Sequence, residues 1–411
     1  MRIKIKAFGC KLNQAEAGAI ECSLAAAGHD IVGRPPYDVV VVCGCTVTVR
    51  ADYKVRQYFR RMKRDHGGER MILSGCSAVS FTDDVVGELE IEKIFAKNDP
   101  EALVEYLGRL TSQKSEKLTF AGRTRGFVKI QDGCNQFCTY CIVPYVRGRE
   151  RSVPPDAVLE RVCELETADI KEVVLTGVHD GRYRADGLDL AALCKKLLDK
   201  TNIERIRLSS VEVLEINDSL IELLATENRM APHLHVPLQS GSDAVLERMG
   251  RRYTSEEYAA IIGKLAQKVD DIGIGADVIV GFPGETDEEF DRTYRLIESL
   301  PITYLHIFRY SPRPGTAAAD MSEQVHNETK WERMKILKKL DENLRERFAR
   351  SQFGKPQRVI VERVEDKNGF GWTGNYLRAA FAIDSNKRNE MVTLKPISYK
   401  NKIINCKIIE Y

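Results

Sequence analysis

Short apolar runs alternate with stretches of helical spacing from the start of the chain to about residue 350. This alternation limits the fold more than any other feature. β-runs separated by helices give parallel strands with helices packed on the sheet, an α/β architecture. The alternation comes in two series. In the first, residues 3–8, 38–42 and 71–73 read as strands and 15–27, 53–64 and 100–110 as helices. The run 38–42, Asp-Val-Val-Val-Val, lacks polar alternation, as a strand covered on both faces does. These residues predict a small open α/β domain over 1–115. Residues 111–124, rich in Ser, Lys and Gly, read as a linker. The second series has strands at 127–131, 172–176, 205–209, 233–237, 272–280 and 304–310. It predicts a full or partial (β/α) barrel over 120–350, with its working face at the strand C-termini. Residues 331–353 read as a long charged helix on the barrel edge. After Gly354-Lys-Pro356, alternation at 358–364, 370–381, 391–396 and 402–409 predicts a small β-barrel over 351–411.

The chain holds 62 Lys and Arg against 60 Asp and Glu, so a nucleic-acid face has to be a local patch. Residues 351–411 provide one, with 11 basic residues against 6 acidic. A content of 43% hydrophobic and 30% charged residues excludes disorder throughout. No apolar run reaches the roughly 18 residues of a membrane helix, and Met1-Arg-Ile-Lys-Ile-Lys does not resemble a secretion leader. A cytoplasmic location without membrane contact is expected. There the 11 cysteines, an odd number, point to metal binding or catalysis rather than disulfides.

Cys134-Asn-Gln-Phe-Cys138-Thr-Tyr-Cys141 follows a strand and the turn Asp132-Gly133. Three thiolates on one short loop can hold three irons of a [4Fe–4S] cluster and leave the fourth open for a cofactor. A zinc site, the alternative, calls for a fourth Cys or His close by. The next cysteine, Cys163, sits in a helical stretch. Three N-terminal strands also end in Gly-Cys, at Cys10, Cys45 and Cys76. Ligand sites form at strand C-termini in open α/β sheets, so these three can meet as a second open cluster site, the alternative being buried thiols. Cys43 lies two residues before Cys45 and shares its face if the strand continues, so either could be the ligand. Cys45 fits the Gly-Cys pattern. Cys22, Cys163, Cys194 and Cys406 lie in apolar stretches and read as structural.

Further motifs follow in order: Gly9-Cys10-Lys-Leu-Asn13-Gln-Ala-Glu16, Cys45-Thr-Val-Thr48, Gly75-Cys76-Ser-Ala78, the Cys134 run through Tyr145, Arg147-Gly-Arg149-Glu-Arg151, His235-Val-Pro-Leu-Gln239-Ser-Gly-Ser-Asp243, Asp277-Val-Ile-Val-Gly-Phe-Pro-Gly-Glu285 and Tyr310-Ser-Pro-Arg-Pro-Gly-Thr316. Over nearly the whole chain this order resembles the methylthiotransferase branch of the radical S-adenosylmethionine enzymes. Gly-Cys-Lys-x-Asn-Gln-x-Glu with Cys-Thr-Val-Thr is similar to the group acting on N6-threonylcarbamoyladenosine in tRNA. Sister groups act on isopentenyladenosine or on an aspartate of a ribosomal protein. Two positions depart from the pattern, Cys43-Gly44 where Asn-Thr is usual and Asp180 where an apolar residue is expected.

The resemblance implies two [4Fe–4S] clusters, one on Cys134, Cys138 and Cys141 and one on Cys10, Cys45 and Cys76. It implies two S-adenosylmethionine molecules per turnover, one cleaved to a radical that takes hydrogen from C2 of the adenine and one methylating the transferred sulfur. The partners implied are a tRNA anticodon stem-loop, an electron donor and a sulfur donor. Thr176, Gly177, Gln239, Ser240 and Asp277, near barrel strand ends, would contact the cofactor. Arg147, Arg149 and Arg151 would meet RNA phosphate or the threonyl carboxylate, or else pair with Glu150 and Glu160. The C-terminal barrel resembles the RNA-binding TRAM module, with Trp372, Tyr376 and Arg378 as RNA contacts, or else the two aromatics fill its core.

Overall fold

The computed structural model describes residues 1–65, 67–108, 124–383 and 387–410. Strands β1 (Arg2–Ala7), β2 (Asp30–Ile31), β3 (Val39–Gly44), β4 (Arg70–Gly75) and β5 (Ile91–Phe95) form one parallel sheet in the order β2-β1-β3-β4-β5. Helices α1 (Lys11–Ala26) and α2 (Val49–Asp65) lie on opposite faces. Strand β3 explains why. Val39, Val41 and Cys43 pack with Ile20 and Leu24 of α1, while Val40 and Val42 pack with Val55 and Phe59 of α2. The all-Val run is thus a strand buried on both sides.

Two details differ from the sequence reading. Helix α1 begins at Lys11 rather than near residue 15, because its polar first turn faces a cavity instead of the core. Strands β2 and β5 were not anticipated: both lie at sheet edges, where one face is solvated and the apolar pattern thins. The expected linker 111–124 falls outside the described residues apart from Thr124.

The second series forms β6 (Arg125–Lys129), a short antiparallel pair β7 (Gln131–Asp132) and β8 (Arg151–Ser152), then β9 (Glu172–Thr176), β10 (Arg205–Leu208), β11 (His233–His235), β12 (Gly273–Val280) and β13 (Tyr304–Arg309). The sheets β6-β9-β10 and β11-β12-β13 are all parallel, and bridges Ile206–Met230 and Ser210–His235 join them into an open half-barrel. The barrel is therefore partial. Helix α1 packs along β6, bringing the N-terminal unit to the half-barrel.

Strands β14 (Gln357–Glu365), β15 (Asn368–Thr373), β16 (Arg378–Ala382), β17 (Met391–Lys400) and β18 (Ile403–Glu410) close a barrel in the order β14-β15-β16-β18-β17. The single strand expected at 370–381 is broken by a turn at 374–377, where Tyr376 has φ +70°. That turn docks beneath the half-barrel, at the N-terminal ends of its strands. Arg205 and Arg207, both buried, share Glu172 (3.1 and 2.8 Å) and donate to the carbonyls of Arg358, Thr373 and Gly374. Burial opposes ionisation of Glu172, yet the two guanidiniums hold its carboxyl down at about 2. Its contribution to stability is complete above the ordinary glutamate range and is lost as pH falls toward about 2. Glu172→Gln leaves two buried arginines without a counter-charge and should lower unfolding stability by about 3–5 kcal/mol in urea titration at pH 7. Among the described residues no helix is long and apolar enough to cross a membrane.

Candidate active site

All three N-terminal Gly-Cys steps lie at the C-terminal end of the first sheet, and the Cys134 loop follows β6 and β7 at the corresponding end of the half-barrel. The two ends face each other across a cavity of about 340 Å³. Cys10, Cys45, Cys76, Cys134, Cys138 and Cys141 all line it. The glycines permit the approach of the N-terminal loops. A Cβ on Gly9, whose φ is +94°, would stand 2.6 Å from the Cys45 sulfur, and one on Gly44 would stand 2.6 Å from Ser77 Cβ.

Cys43 and Cys45 are separated by the end of the strand. Cys43 is the last-but-one residue of β3 and is wholly buried under α1, where burial pushes its thiol far up. Gly44 ends the strand, so alternation does not carry on and Cys45 turns into the cavity with Cys10 and Cys76. Cys10 and Cys45 interact directly. A hydrogen bond from Cys45, against the effect of burial, brings the Cys10 thiol down to about 6. Among the other cysteines, Cys194 and Cys406 are core residues, and Cys22 accepts from Arg161 at 3.4 Å. All 11 thiols are free.

Three cations touch cavity sulfurs, and each has a carboxylate behind it. Arg147 Nε donates to Cys76 Sγ at 3.1 Å, while its other nitrogens bind Glu16 (2.9 and 3.0 Å) and Asp132 (3.0 Å). Arg251 donates to Cys138 Sγ at 3.4 Å and pairs with Glu212. His179 Nδ1 lies 3.8 Å from Cys134 Sγ and its Nε2 lies 2.7 Å from Glu215. Burial works against the His179 cation, but Cys134 and Glu215 raise its pKa to about 10. Positive groups at the sulfurs favour thiolate, the form that binds metal. Two trios of free thiols suit two iron–sulfur clusters with an open position each. The zinc alternative needs a fourth donor, and the nearby His179 is committed at both nitrogens to Cys134 and Glu215.

The same contacts join the two units. Glu16 of α1 also binds Lys129 of β6 at 2.7 Å, and Arg313 binds Asp52 of α2 at 2.8 Å. Sequence reading missed these partners, because Glu16 and Asp52 look like ordinary helix acids until the fold brings a distant cation to them.

Thr176, Gly177, Gln239 and Asp277 line the cavity. Asp277 lies within β12, its carboxylate 2.8 Å from His235 Nε2 and 3.4 Å from His306 Nδ1. Gly177 has no room for a side chain: a Cβ would sit 2.7 Å from Asp180 Oδ1 and 2.8 Å from Gln131 O. Asp180 is buried, which pushes its carboxyl up to about 7 against the pull of the Ser210 N–H. Ser240 is not at the cavity. Its hydroxyl turns to Thr293 Oγ1 (3.2 Å) and accepts from Ser242 N (3.2 Å), which shapes the loop.

The arginines divide. Arg147 is the inter-unit latch, and Arg151 binds Asp132 at 2.9 Å rather than Glu150 or Glu160. Arg149 is exposed, its guanidinium 4.9 Å from the Phe137 ring centre. Phe137 is 40% exposed at the cavity and meets Tyr145, 60% exposed, edge to face at 5.7 Å. In the C-terminal barrel Tyr376 stacks with Trp372 (4.7 Å) and with His233 of the half-barrel (4.5 Å). It stands outside the barrel core, because the turn at 374–377 carries it to the floor of the half-barrel. Arg378 remains exposed on β16.

Comparison with known proteins covers most of the chain. The family described as Radical SAM superfamily matches residues 128–297, and the one described as Uncharacterized protein family UPF0004 matches residues 2–118. The Bacillus subtilis threonylcarbamoyladenosine tRNA methylthiotransferase MtaB is 36% identical over 94% of this chain and 92% of its own. Its Thermotoga maritima namesake is 33% identical over 98% and 96%. The tRNA-2-methylthio-N(6)-dimethylallyladenosine synthase of Ehrlichia canis is 31% identical over 99% and 96%. Among solved structures, the radical S-adenosylmethionine methyltransferase TsrM of Kitasatospora setae superposes with a TM-score of 0.58 at 15% identity, covering 77% of this chain and 75% of that one, a likeness of fold.

Proposed function

The chain belongs to the methylthiotransferases of the radical S-adenosylmethionine superfamily, and on that premise we propose that it places a methylthio group on C2 of N6-threonylcarbamoyladenosine beside the anticodon of tRNA. The observation that carries the reading is the meeting of two separate cysteine trios around one cavity. Relatives at 33–36% identity carry the threonylcarbamoyladenosine name, and those at 30–32% the dimethylallyladenosine name.

The cofactors are two [4Fe–4S] clusters and S-adenosylmethionine. In this reading Cys134, Cys138 and Cys141 hold the cluster that takes S-adenosylmethionine, and Cys10, Cys45 and Cys76 hold the other. When bound, the groups supply one-electron cleavage of the sulfonium at the first site and the methylated sulfur at the second. The chain's own residues do the rest. Arg147, Arg251 and His179 neutralise thiolate charge at three ligands. Thr176, Gly177, Gln239 and Asp277 line the cavity wall that would receive the cofactor. The Glu16–Arg147–Asp132 latch fixes the distance between the sites. This activity calls for a sulfur donor and an electron donor as partners, and a tRNA substrate is consistent with a cytoplasmic location. We assign residues 1–115, 120–350 and 351–411 as the three domains, the last a TRAM-like RNA-binding barrel with Arg378 on its exposed surface.

Phe137, Tyr145 and Arg149 give the cavity an aromatic and cationic border, the chemistry that receives unstacked bases of an RNA loop. Tyr145→Ala should raise KM for an anticodon stem-loop roughly 5- to 100-fold, one base's worth of stacking, and leave cleavage of S-adenosylmethionine without RNA unchanged. The reading as a whole is tested by nucleoside mass spectrometry of tRNA from a host lacking the modification, with and without this protein. The 2-methylthio mass should appear on threonylcarbamoyladenosine. Its appearance on isopentenyladenosine alone, or nowhere, would refute the assignment.

A further inference from the structure

Four cations line the cavity: Lys11, Arg147, His179 and Arg251. Three are answered by carboxylates, Arg147 by Glu16 and Asp132, His179 by Glu215 and Arg251 by Glu212. Lys11 is answered by none. Among the described residues it makes no hydrogen bond and no ion pair, and its ammonium rests 5.6 Å from the centre of the Tyr376 ring. It is the first residue of α1, directly after Cys10, and its side chain is half-buried in the space that both cysteine trios face. The side chain reaches inward to the floor that Tyr376, His233 and Tyr304 close.

An ammonium withdrawn from water without a counter-charge is costly, and an anion brought to it relieves that cost. Among the described residues no carboxylate lies within ion-pair distance of it. The two carboxylates that act on it electrostatically, Asp180 and Glu172, lie beyond ion-pair distance, and Glu172 is already shared by Arg205 and Arg207. The two acids of the cavity wall are also taken, Glu212 by Arg251 and Asp277 by His235 and His306. The ammonium is therefore open to an anion that arrives with a ligand.

We propose that Lys11 is a specificity-determining residue that binds the carboxylate of the amino-acid group on N6 of the substrate adenosine. This rests on the functional reading above, which supplies a substrate carrying one carboxylate on that group. A flexible ammonium with three donors can take a carboxylate in one charge-assisted contact. The neutral substituent of a sister substrate has nothing to offer it and would leave it unpaired. Selection thus operates by a lost ion pair as well as by a gained one.

The test uses the reconstituted full-length enzyme and two synthetic anticodon stem-loops. One carries N6-threonylcarbamoyladenosine, and the other its primary amide in place of the carboxylate. Wild type should favour the acid by roughly 10- to 100-fold in KM, the range of a hydrogen bond to a charged group. Lys11→Met should reduce that ratio to near one, with iron content and the affinity for S-adenosylmethionine unchanged, and Lys11→Arg should restore part of the preference. If Lys11→Met keeps the wild-type preference, the proposal is overturned. It is also overturned if that variant loses half its iron, since Lys11 then serves the charge of the neighbouring cluster. Weaker S-adenosylmethionine binding with an unaltered acid-to-amide ratio would assign Lys11 to the cofactor's carboxylate and overturn it too. Wild type that modifies both RNAs equally defeats this proposal alone, while wild type that modifies neither defeats the functional reading beneath it.

Discussion

Replacing Cys134 by alanine is expected to abolish formation of 5′-deoxyadenosine from S-adenosylmethionine and to halve the iron held by the reconstituted protein. The thiol is one of three on a loop, residues 133–142, whose geometry is tightly set. Gly133, at φ +72°, brings the loop against the backbone of Arg149, and the Cys134 N–H bonds Gly148 O at 3.1 Å. The loop then returns through Thr139, whose N–H bonds Met249 O at 3.0 Å. To this framework the Cys134 side chain adds only the bond it accepts from Gln136 N–H at 3.4 Å and its contact with His179, so the variant should fold. The loss should be confined to the site on this loop. Iron bound by Cys10, Cys45 and Cys76 should survive, because these ligands stand on a different sheet. Loss of all iron in Cys134→Ala would show that the two sites do not form separately.

The second large effect separates two neighbouring cysteines. Cys45→Ala is expected to stop methylthiolation while cleavage of S-adenosylmethionine continues, and to remove the iron of the second site. Cys43→Ala should keep its iron and its product. Its thiol lies in the apolar layer under α1, so the expected penalty is in stability, about 1 kcal/mol for a small buried group. Paired iron analysis and product assays on the two variants decide the matter. Iron loss in Cys43→Ala with iron retained in Cys45→Ala would reverse the ligand assignment. Cys76→Ala should behave as Cys45→Ala does, with one addition. Arg147 loses the sulfur that its Nε faces but keeps Glu16 and Asp132, so the latch between the units should hold.

Much of this site was legible in the sequence because its ligands are marked locally. Gly-Cys after a β-run and C-x3-C-x2-C after a strand specify both residue type and position at a strand end. The strands were legible where both faces are buried, as in β3, and the half-barrel followed from their number. What the sequence did not disclose is set by contacts between distant segments. Lys11 reads as a polar residue before a helix, and only the fold places it in a lumen with no carboxylate beside it among the described residues. Arg313 and Asp52 are separated by some 260 positions yet share a buried pair, which local pattern cannot register. Tyr376 and Trp372 read as an aromatic cluster on a basic barrel. Their actual stack with His233 depends on how that barrel docks, and docking depends on two buried arginines that look, in sequence, like exposed strand ends. The Cys43 ambiguity had a similar origin: strand alternation was extended past Gly44, where the strand stops.

The central claim is that two three-thiolate sites, formed by separate segments, face one cavity. It is tested most directly by iron and acid-labile sulfide analysis of the full-length protein after anaerobic reconstitution. Two [4Fe–4S] clusters predict about eight irons and about eight sulfides per chain, falling to about four of each in both Cys134→Ala and Cys45→Ala. About four irons in the unaltered protein, with no further loss in Cys45→Ala, would contradict it.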